Sequence, residues 1–181
     1  MLKKIKPWQI IIFTGLLLII IGGLLIPVFS NGLHTSNNDN TSDGKLLKLL
    51  KNDYLVSQAL YGDVSTDESS ITVDDLKYDI VTDKNLTSLS DLQNIINETY
   101  DSDFAGSIYA DIDKYNKYIE IDDNLYVNIN SICKVNEFDN KIVIVESGTN
   151  EITVENNGKK VIVKKDNSGN FKLTSIVYKC V

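Results

Sequence analysis

The sequence predicts an α+β domain that follows a transmembrane helix, with helices packed on one face of a curled antiparallel sheet. Three observations predict this class. A 22-residue run without charge lies near the start, helical periodicity marks the first part of the remaining chain, and short Val- and Ile-rich segments separated by turn residues fill the last part. The regions expected are a cytoplasmic stub (1–7), a transmembrane helix (8–29), a flexible linker (30–44) and an extracytoplasmic domain (45–181).

The uncharged run, residues 8–29, reads WQIIIFTGLLLIIIGGLLIPVF. A helix of 22 residues is expected to be about 33 Å long at 1.5 Å per residue, which matches a hydrocarbon core of about 30 Å. Three lysines lie within the first seven residues and the next is Lys45, so the positive-inside rule keeps the N-terminus in the cytoplasm and sends the rest across the membrane. A signal peptide cleaved near Ser30 is the alternative, but its apolar region is usually about 7 to 15 residues. The length therefore favours an uncleaved single-pass anchor in the lipid bilayer.

Residues 30–44 are rich in Ser, Asn, Thr, Asp and Gly and have no apolar period. A coil of this length has an end-to-end distance of about 20 Å, which suits a tether. The chain's one histidine, His34, lies here. With no second ligand near it in the sequence, we interpret His34 as a solvated linker residue and not as a metal ligand or a base.

The domain is expected to open with an amphipathic helix that starts at Lys45. Ser42 or Asp43 can cap its start, and Gly62 can end it. The apolar stripe is wide, which favours burial against a sheet over use as a partner-binding surface. The stripe consists of Leu47, Leu50, Tyr54 and Tyr61, with Leu46, Leu49, Val56 and Leu60 beside it.

Two shorter helices are expected next, after a weak strand or irregular connection at residues 63–80. Ser88 with Asp91 forms the capping pattern of the first helix. Asp101 or Ser102 can cap the second. The apolar residues that these helices carry at helical spacing are Leu89, Leu92, Ile96, Tyr100, Phe104 and Ile108.

Strand patterning begins near residue 119 and continues to residue 180. Apolar residues alternate on both sides of Asp122-Asp123-Asn124, which predicts a β-hairpin. Asn157-Gly158 predicts a type I′ turn, because both residues tolerate the positive φ that this turn needs. The remaining strands are expected at 141–146, 151–155, 159–165 and 171–180.

The charge balance limits the partners. The chain holds 18 basic residues, all of them lysine, against 25 acidic residues, a formal net charge of −7. Such a chain is not expected to bind nucleic acid or anionic phospholipid, and electrostatic steering would favour a basic partner. The acidity can also serve solubility alone.

The chain has two cysteines, Cys133 and Cys180, both in predicted strands. In a domain exported to an oxidising compartment, two cysteines predict one disulfide. Two separate buried thiols are the alternative, because cysteine is also a common small core residue.

Patterns of catalytic residues are missing from the predicted domain. The one histidine lies in the linker, so no Ser-His or Cys-His pair can form in the domain. Asp101 and Asp103 resemble the start of an EF-hand loop, but Ile112 stands where the bidentate Glu belongs. No phosphate-binding or dinucleotide-binding motif occurs, so we predict no enzyme, no metal and no cofactor. The carboxylates that could pair as acid and base, but are also typical of turns and strand edges, are Asp111, Asp113, Asp122 and Asp123.

Two short motifs carry a resemblance to a known family. They are Tyr100-Asp101-Ser102-Asp103-Phe104-Ala105 and Asp123-Asn124-Leu125-Tyr126. With the helices before them, they make residues 45–180 similar to the extracytoplasmic NTF2-like or cystatin-like domains of Firmicutes, and most of all to the IseA family of cell-wall endopeptidase inhibitors. The resemblance implies a small, non-enzymatic, wall-facing protein that docks on the active-site cleft of DL-endopeptidases of the NlpC/P60 type.

Two functions follow from these observations. The first is a membrane-tethered interaction domain that inhibits a cell-wall hydrolase or binds another envelope protein, with a binding surface formed by Tyr100, Phe104, Asp122, Asp123 and Tyr126. The alternative is a small-ligand or glycan-binding domain that uses the concave face of the sheet, with Tyr78, Tyr109, Tyr118 and Tyr126 as stacking residues. A structural subunit of an envelope complex is a third possibility.

Overall fold

The computed structural model of this protein describes residues 41–130 and 132–180. The predicted cytoplasmic stub, the predicted transmembrane helix and residues 30–40 of the predicted linker lie outside the described residues. Within the two described ranges, no helix combines the length and the apolar character that crossing a membrane requires.

The described residues form three helices and two four-stranded antiparallel sheets, which confirms the α+β class. The prediction of a single curled sheet is wrong, because the strands divide into the orders β1-β2-β4-β3 and β5-β6-β7-β8. The helices are α1 (Ser42–Tyr61), α2 (Leu89–Thr99) and α3 (Ser102–Lys114). The strands are β1 (Thr66–Val73), β2 (Leu76–Val81), β3 (Tyr118–Ile121), β4 (Asn124–Asn128), β5 (Val143–Ser147), β6 (Glu151–Asn156), β7 (Lys159–Lys165) and β8 (Phe171–Lys172).

Helix α1 starts three residues earlier than predicted, so the linker is shorter. Its N-cap is Thr41, whose side-chain oxygen accepts a hydrogen bond from the backbone N–H of Gly44 at 3.1 Å, and neither Ser42 nor Asp43 holds that position. Gly62 ends the helix with a φ of 73°, as expected for a residue in the left-handed region.

The caps of α2 and α3 agree with the sequence. Ser88 Oγ accepts a hydrogen bond from the N–H of Asp91 at 3.0 Å. Asp101 Oδ1 accepts one from the N–H of Phe104 at 2.9 Å. Each cap satisfies a donor that the helix start leaves without an intrahelical partner, which fixes where these helices begin.

The first sheet contains a two-stranded hairpin where a weak strand or an irregular connection was predicted. β1 and β2 are joined by Asp74 and Asp75, whose φ angles are 50° and 63°. Asp122 and Asp123 join β3 and β4 in the same way, with φ angles of 49° and 61°. Aspartate tolerates the left-handed region, so it can make a type I′ turn without glycine. β4 then pairs with β2 and completes the sheet.

The second sheet is a meander whose last strand is far shorter than predicted. β8 ends at Lys172, and residues 173–180 leave the sheet. Leu173 turns toward the helices, where its N–H donates to Thr99 O at 2.9 Å and its carbonyl accepts from the N–H of Asp101 at 3.0 Å. Competing backbone partners on the helices therefore end the strand.

One hydrophobic core joins both sheets and all three helices. On α1, the Tyr54 ring lies 5.8 Å from that of Phe138 and 5.5 Å from that of Tyr178, which ties the segments before β5 and after β8 to the helix. Tyr118 at the start of β3 donates to Ala59 O at 2.8 Å, which ties the first sheet to the same helix.

A disulfide joins Cys133 and Cys180, with Cα atoms 5.6 Å apart. Neither cysteine lies in a named strand, so that part of the sequence interpretation is corrected. Cys133 follows the first sheet, and Cys180 forms an isolated bridge with Val135. The bond therefore fastens the connection between the two sheets to the segment that follows β8.

Candidate functional site

A cleft of about 440 Å³ lies at the carboxyl end of α1. This volume falls within the range of about 300 to 1,000 Å³ found for small-molecule sites. The end of α3, the start of β3, the end of β4 and the segment after β8 form its other walls. Its lining residues are Leu60, Tyr61, Asp111, Ile112, Tyr115, Lys117, Asn128, Asn130 and Ile176.

Backbone hydrogen bonds hold the walls of the cleft together. The N–H of Cys133 donates to Tyr61 O at 2.9 Å, and the N–H of Lys117 donates to Ile112 O at 3.1 Å. Asn128, at the end of β4, donates from its N–H to Lys117 O at 2.8 Å. Since Cys133 is also in the disulfide, the residue that is hydrogen-bonded to Tyr61 is covalently linked to Cys180, at the end of the segment that carries Ile176. The site is thus formed by ordered backbone and needs no large rearrangement to exist.

The lining combines an aromatic face, amides and both signs of charge. Tyr115 is 58% exposed, and Lys114 Nζ lies 4.9 Å from the centre of its ring. The buried Asn128 side chain accepts a hydrogen bond from the N–H of Asn130 at 3.0 Å, which orients its amide. Lys117 is half-buried, and this burial lowers the pKa of its ammonium group. A neutral or weakly charged polar ligand would find both stacking area and hydrogen-bond partners here.

The cleft has few ionisable side chains. Its ionisable side chains are Asp111, Lys117 and the two tyrosines, and it contains no serine, cysteine or histidine. In the described part of the chain, no group of three or more His, Cys, Asp or Glu residues could hold a metal ion. The cleft can bind and orient a ligand, and its residues offer no nucleophile with an adjacent base.

The five residues predicted to form a binding surface do not line this cleft. Tyr100 is a core residue, 1% exposed, so it is corrected from contact residue to structural residue. Phe104 is half-buried, with its ring 5.2 Å from that of Tyr100. Asp122 and Asp123 are exposed on the β3–β4 turn, and Tyr126 lies half-buried on β4. The structure therefore leaves Asp122 and Asp123 at the surface and places Tyr100 inside.

The tyrosines predicted to stack on a ligand also serve other roles. Tyr78 and Tyr118 are buried, and their hydroxyls donate to Asn116 O at 3.1 Å and Ala59 O at 2.8 Å. Tyr109 donates to Asn97 Oδ1 at 2.8 Å. The aromatic residues of the cleft are instead Tyr61 and Tyr115.

Sequence reasoning missed Tyr115 for a physical reason. It continues the buried stripe of α3, which is Ala105, Ile108 and Ile112, so helical periodicity predicts that it is buried. The helix ends at Lys114, and Asn116 then takes a positive φ of 44° that redirects the chain. Tyr115 thus lies one residue beyond the end of the helix, where the stripe is no longer covered. This position at the helix end was the sequence feature that could have indicated its exposure.

A second polar cluster lies inside the molecule, around Asp53 of α1. Its carboxylate accepts hydrogen bonds from Tyr100 Oη at 2.5 Å, from the N–H of Val177 at 3.1 Å and from the N–H of Tyr178 at 3.2 Å. Burial raises the pKa of Asp53 from 3.8 to about 6, although these hydrogen bonds act in the opposite direction. Asp53 is fully buried and does not line the cleft, so its role is to join α1 to the segment after β8.

Comparisons with known proteins do not assign a family or a function to the chain. The sequence matches no protein-family model, and no curated protein shows significant similarity to it.

Proposed function

We propose that this protein is a membrane-tethered, extracytoplasmic binding domain without enzymatic activity, and that it holds a small polar ligand of the cell envelope in the cleft at the carboxyl end of α1. Glycan or peptide fragments of the cell wall have the required chemistry. The observation that carries the proposal is the convergence of Tyr115, Asn128 and Lys117 on one cleft of about 440 Å³.

The lining residues match the groups that such a ligand presents. The exposed ring of Tyr115 offers an apolar face to a sugar ring, and the amide groups of Asn128 and Asn130 can exchange hydrogen bonds with hydroxyl or acetamido groups. Lys117 can pair with a carboxylate, and its partly desolvated ammonium group makes that pairing stronger than at an open surface.

The location is supported by two features. The disulfide between Cys133 and Cys180 is typical of oxidising compartments outside the cytoplasm. The predicted anchor at residues 8–29, with lysines before it, would deliver the domain to that side of the membrane.

A second candidate function is inhibition of a cell-wall peptidase, in line with the IseA-like resemblance of the sequence. It is favoured by two exposed apolar side chains near the cleft, Tyr115 and Ile132, each 58% exposed. Ile132 precedes Cys133, whose N–H donates a hydrogen bond to the carbonyl of Tyr61, a residue that lines the cleft. Exposed aromatic and aliphatic residues that flank a cleft are typical of the centre of a protein interface.

The first test measures ligand binding by the cleft. Full-length protein in detergent is titrated with muropeptides from digested peptidoglycan, and binding is followed by calorimetry. Because an aromatic contact contributes about 1 kcal/mol, Tyr115→Ala is expected to weaken binding about tenfold or less, whereas Tyr115→Phe keeps the ring and is expected to bind as the natural protein does.

The same variants separate the two candidates. The second candidate replaces the first if muropeptides do not bind but the protein inhibits an NlpC/P60-type endopeptidase. In that case, the double variant Tyr115→Ala, Ile132→Ala is expected to abolish the inhibition. If neither muropeptide nor peptidase binds at tens of micromolar protein, both functions are wrong.

A further inference from the structure

One edge of the second sheet is open over most of a strand. β7 pairs with β6 along its length, but β8 pairs only with Lys164 and Lys165. Residues 159–163 thus have no strand beside them on the β8 side. Within the described ranges, their backbone makes no hydrogen bond outside the β6–β7 ladder. This edge offers unused N–H and C=O groups of the kind that strand addition requires.

A slot of about 540 Å³ lies beside this edge. Residues 159–162 form one wall and residues 173–177 form the other. Hydrogen bonds to other elements hold the second wall away from β7. The backbone of Leu173 is hydrogen-bonded to the backbone of Thr99 and Asp101, and the N–H of Val177 donates to the Asp53 carboxylate. The segment that follows β8 therefore cannot close over the edge without breaking contacts elsewhere, and the slot remains open.

The side chains at the edge define what could fill it. Val161 and Val163 face the core, whereas Lys160 and Ile162 face solvent, with Ile162 52% exposed. On the paired side, β6 places Glu155 opposite Lys160 and Thr153 opposite Ile162. A strand added on the open side would meet the same two outward residues, so it would need an acidic residue and a β-branched residue in the same order.

The charge of the edge argues against a second copy of this strand as the occupant. β7 carries four lysines in seven residues, KKVIVKK, within a chain whose net charge is −7. Edge-to-edge pairing of two such strands would bring lysines close to lysines, and edge lysines are a known device against that pairing. An acidic segment of another protein has the complementary charge.

We propose that the open edge of β7 captures an extended, acidic segment of a partner protein by β-strand addition. The captured segment carries Asp or Glu opposite Lys160, a small apolar residue opposite Val161, and Thr or Val opposite Ile162. This site is separate from the ligand cleft except for Ile176, which lines both, and it gives the domain a protein partner in addition to its ligand.

The probe for the test is a fluorescein-labelled synthetic peptide with the sequence of residues 150–156, NEITVEN, because β6 already shows the required complement to β7. Full-length protein in detergent is titrated against it by fluorescence anisotropy, and amide hydrogen exchange is followed by mass spectrometry. Saturable binding is expected, together with slower exchange at residues 159–163. A peptide in which both glutamates are replaced by lysine is expected not to bind.

Two charge reversals on the same face of β7 make a matched pair. Lys160→Glu lies at the open edge and is expected to weaken peptide binding at least tenfold. Lys164→Glu lies where β8 already covers the strand, and it is expected to change binding less than threefold. Circular dichroism melting checks that both variants fold.

Three results would overturn the proposal: no saturable binding up to millimolar peptide, binding without slower exchange at residues 159–163, or an equal loss in both charge-reversal variants. Tyr115→Ala is expected to bind the peptide normally. The experiments therefore distinguish an error in the proposed ligand binding from an error in the proposed strand addition.

Discussion

At the scale of single residues, Asp53 is a buried carboxylate whose pKa the fold changes. Its carboxylate is fully buried, and its three hydrogen-bond donors come from the residue that ends α2 and from the segment after β8. Burial favours the protonated form and hydrogen bonding favours the ionised form, and burial dominates because the pKa rises to about 6. The proton is thus held more tightly in the folded state than in the unfolded state.

This difference predicts a pH dependence of stability. Between about pH 4 and pH 6 the unfolded chain loses the Asp53 proton first, so the free energy of unfolding is expected to fall as the pH rises through that window, by about 3 kcal/mol for a shift of this size. Urea denaturation of the natural protein and of Asp53→Asn at pH 4 and pH 7 measures it. An asparagine side chain cannot ionise, so the difference between the two proteins isolates this group, and equal pH slopes would contradict the assignment.

Asp53 also shows what sequence reasoning could have found at this scale. The buried stripe of α1 runs through Leu46, Leu50, Asp53 and Val56, so a carboxylate stands in the middle of an apolar face. A charged residue at that position predicts a buried partner. The donors could not be foreseen, because two of them are backbone N–H groups 124 and 125 residues away.

At the scale of elements, the caps of α2 and α3 were predicted correctly, whereas the end of β8, which long-range contacts determine, was not. The caps at Ser88 and Asp101 involve neighbours three residues away, so the sequence pattern contains the whole interaction. The β1–β2 hairpin was missed because β1, TDESSITV, is mostly polar and shows little of the apolar alternation that marks the strands beside the similar Asp122-Asp123 turn. The strand predicted at residues 171–180 was too long because its apolar residues contact helices instead of a neighbouring strand.

The disulfide between Cys133 and Cys180 is a covalent long-range contact. It closes a loop across a sequence separation of 47 residues, for which the loop-entropy relation gives about 4 kcal/mol. Replacement of both Cys133 and Cys180 by serine is expected to lower the free energy of unfolding by about 2 to 4 kcal/mol, as measured by urea denaturation. A reducing agent is expected to destabilise the natural protein to the same level and to leave the double variant unchanged. A natural protein that is indifferent to reduction would show that the bond does not stabilise the fold.

At the scale of the whole molecule, α1 organises the surfaces. It is 20 residues long, about 30 Å, and the chain enters the described domain at its amino end, whereas the ligand cleft lies at its carboxyl end. The open edge of β7 belongs to the second sheet, and only Ile176 lines both sites. We thus propose that one domain has two binding surfaces of different chemistry, one for a small polar ligand and one for an acidic strand.

The N-terminal sequence predicts the membrane topology of the whole protein. The uncharged run at residues 8–29 and the lysines before it predict a single-pass protein with its N-terminus in the cytoplasm. Alkaline carbonate is expected to leave the full-length protein in the membrane fraction, and protease added to intact spheroplasts is expected to digest the domain. Release by carbonate, or a mature N-terminus near Asn31, would show that the anchor is absent.

The segment that follows β8 also has a consequence for biosynthesis. Asp53 emerges from the ribosome 124 residues before Val177, an interval of roughly 6 to 25 s at 5–20 residues per second. Until Val177 and Tyr178 arrive, the nascent α1 lacks two donors for its carboxylate and has no partner for the Tyr54 ring in Tyr178. Completion of the core therefore waits for residues 173–180 to be made. For the exported domain that we propose, this delay keeps the chain unfolded while it crosses the membrane.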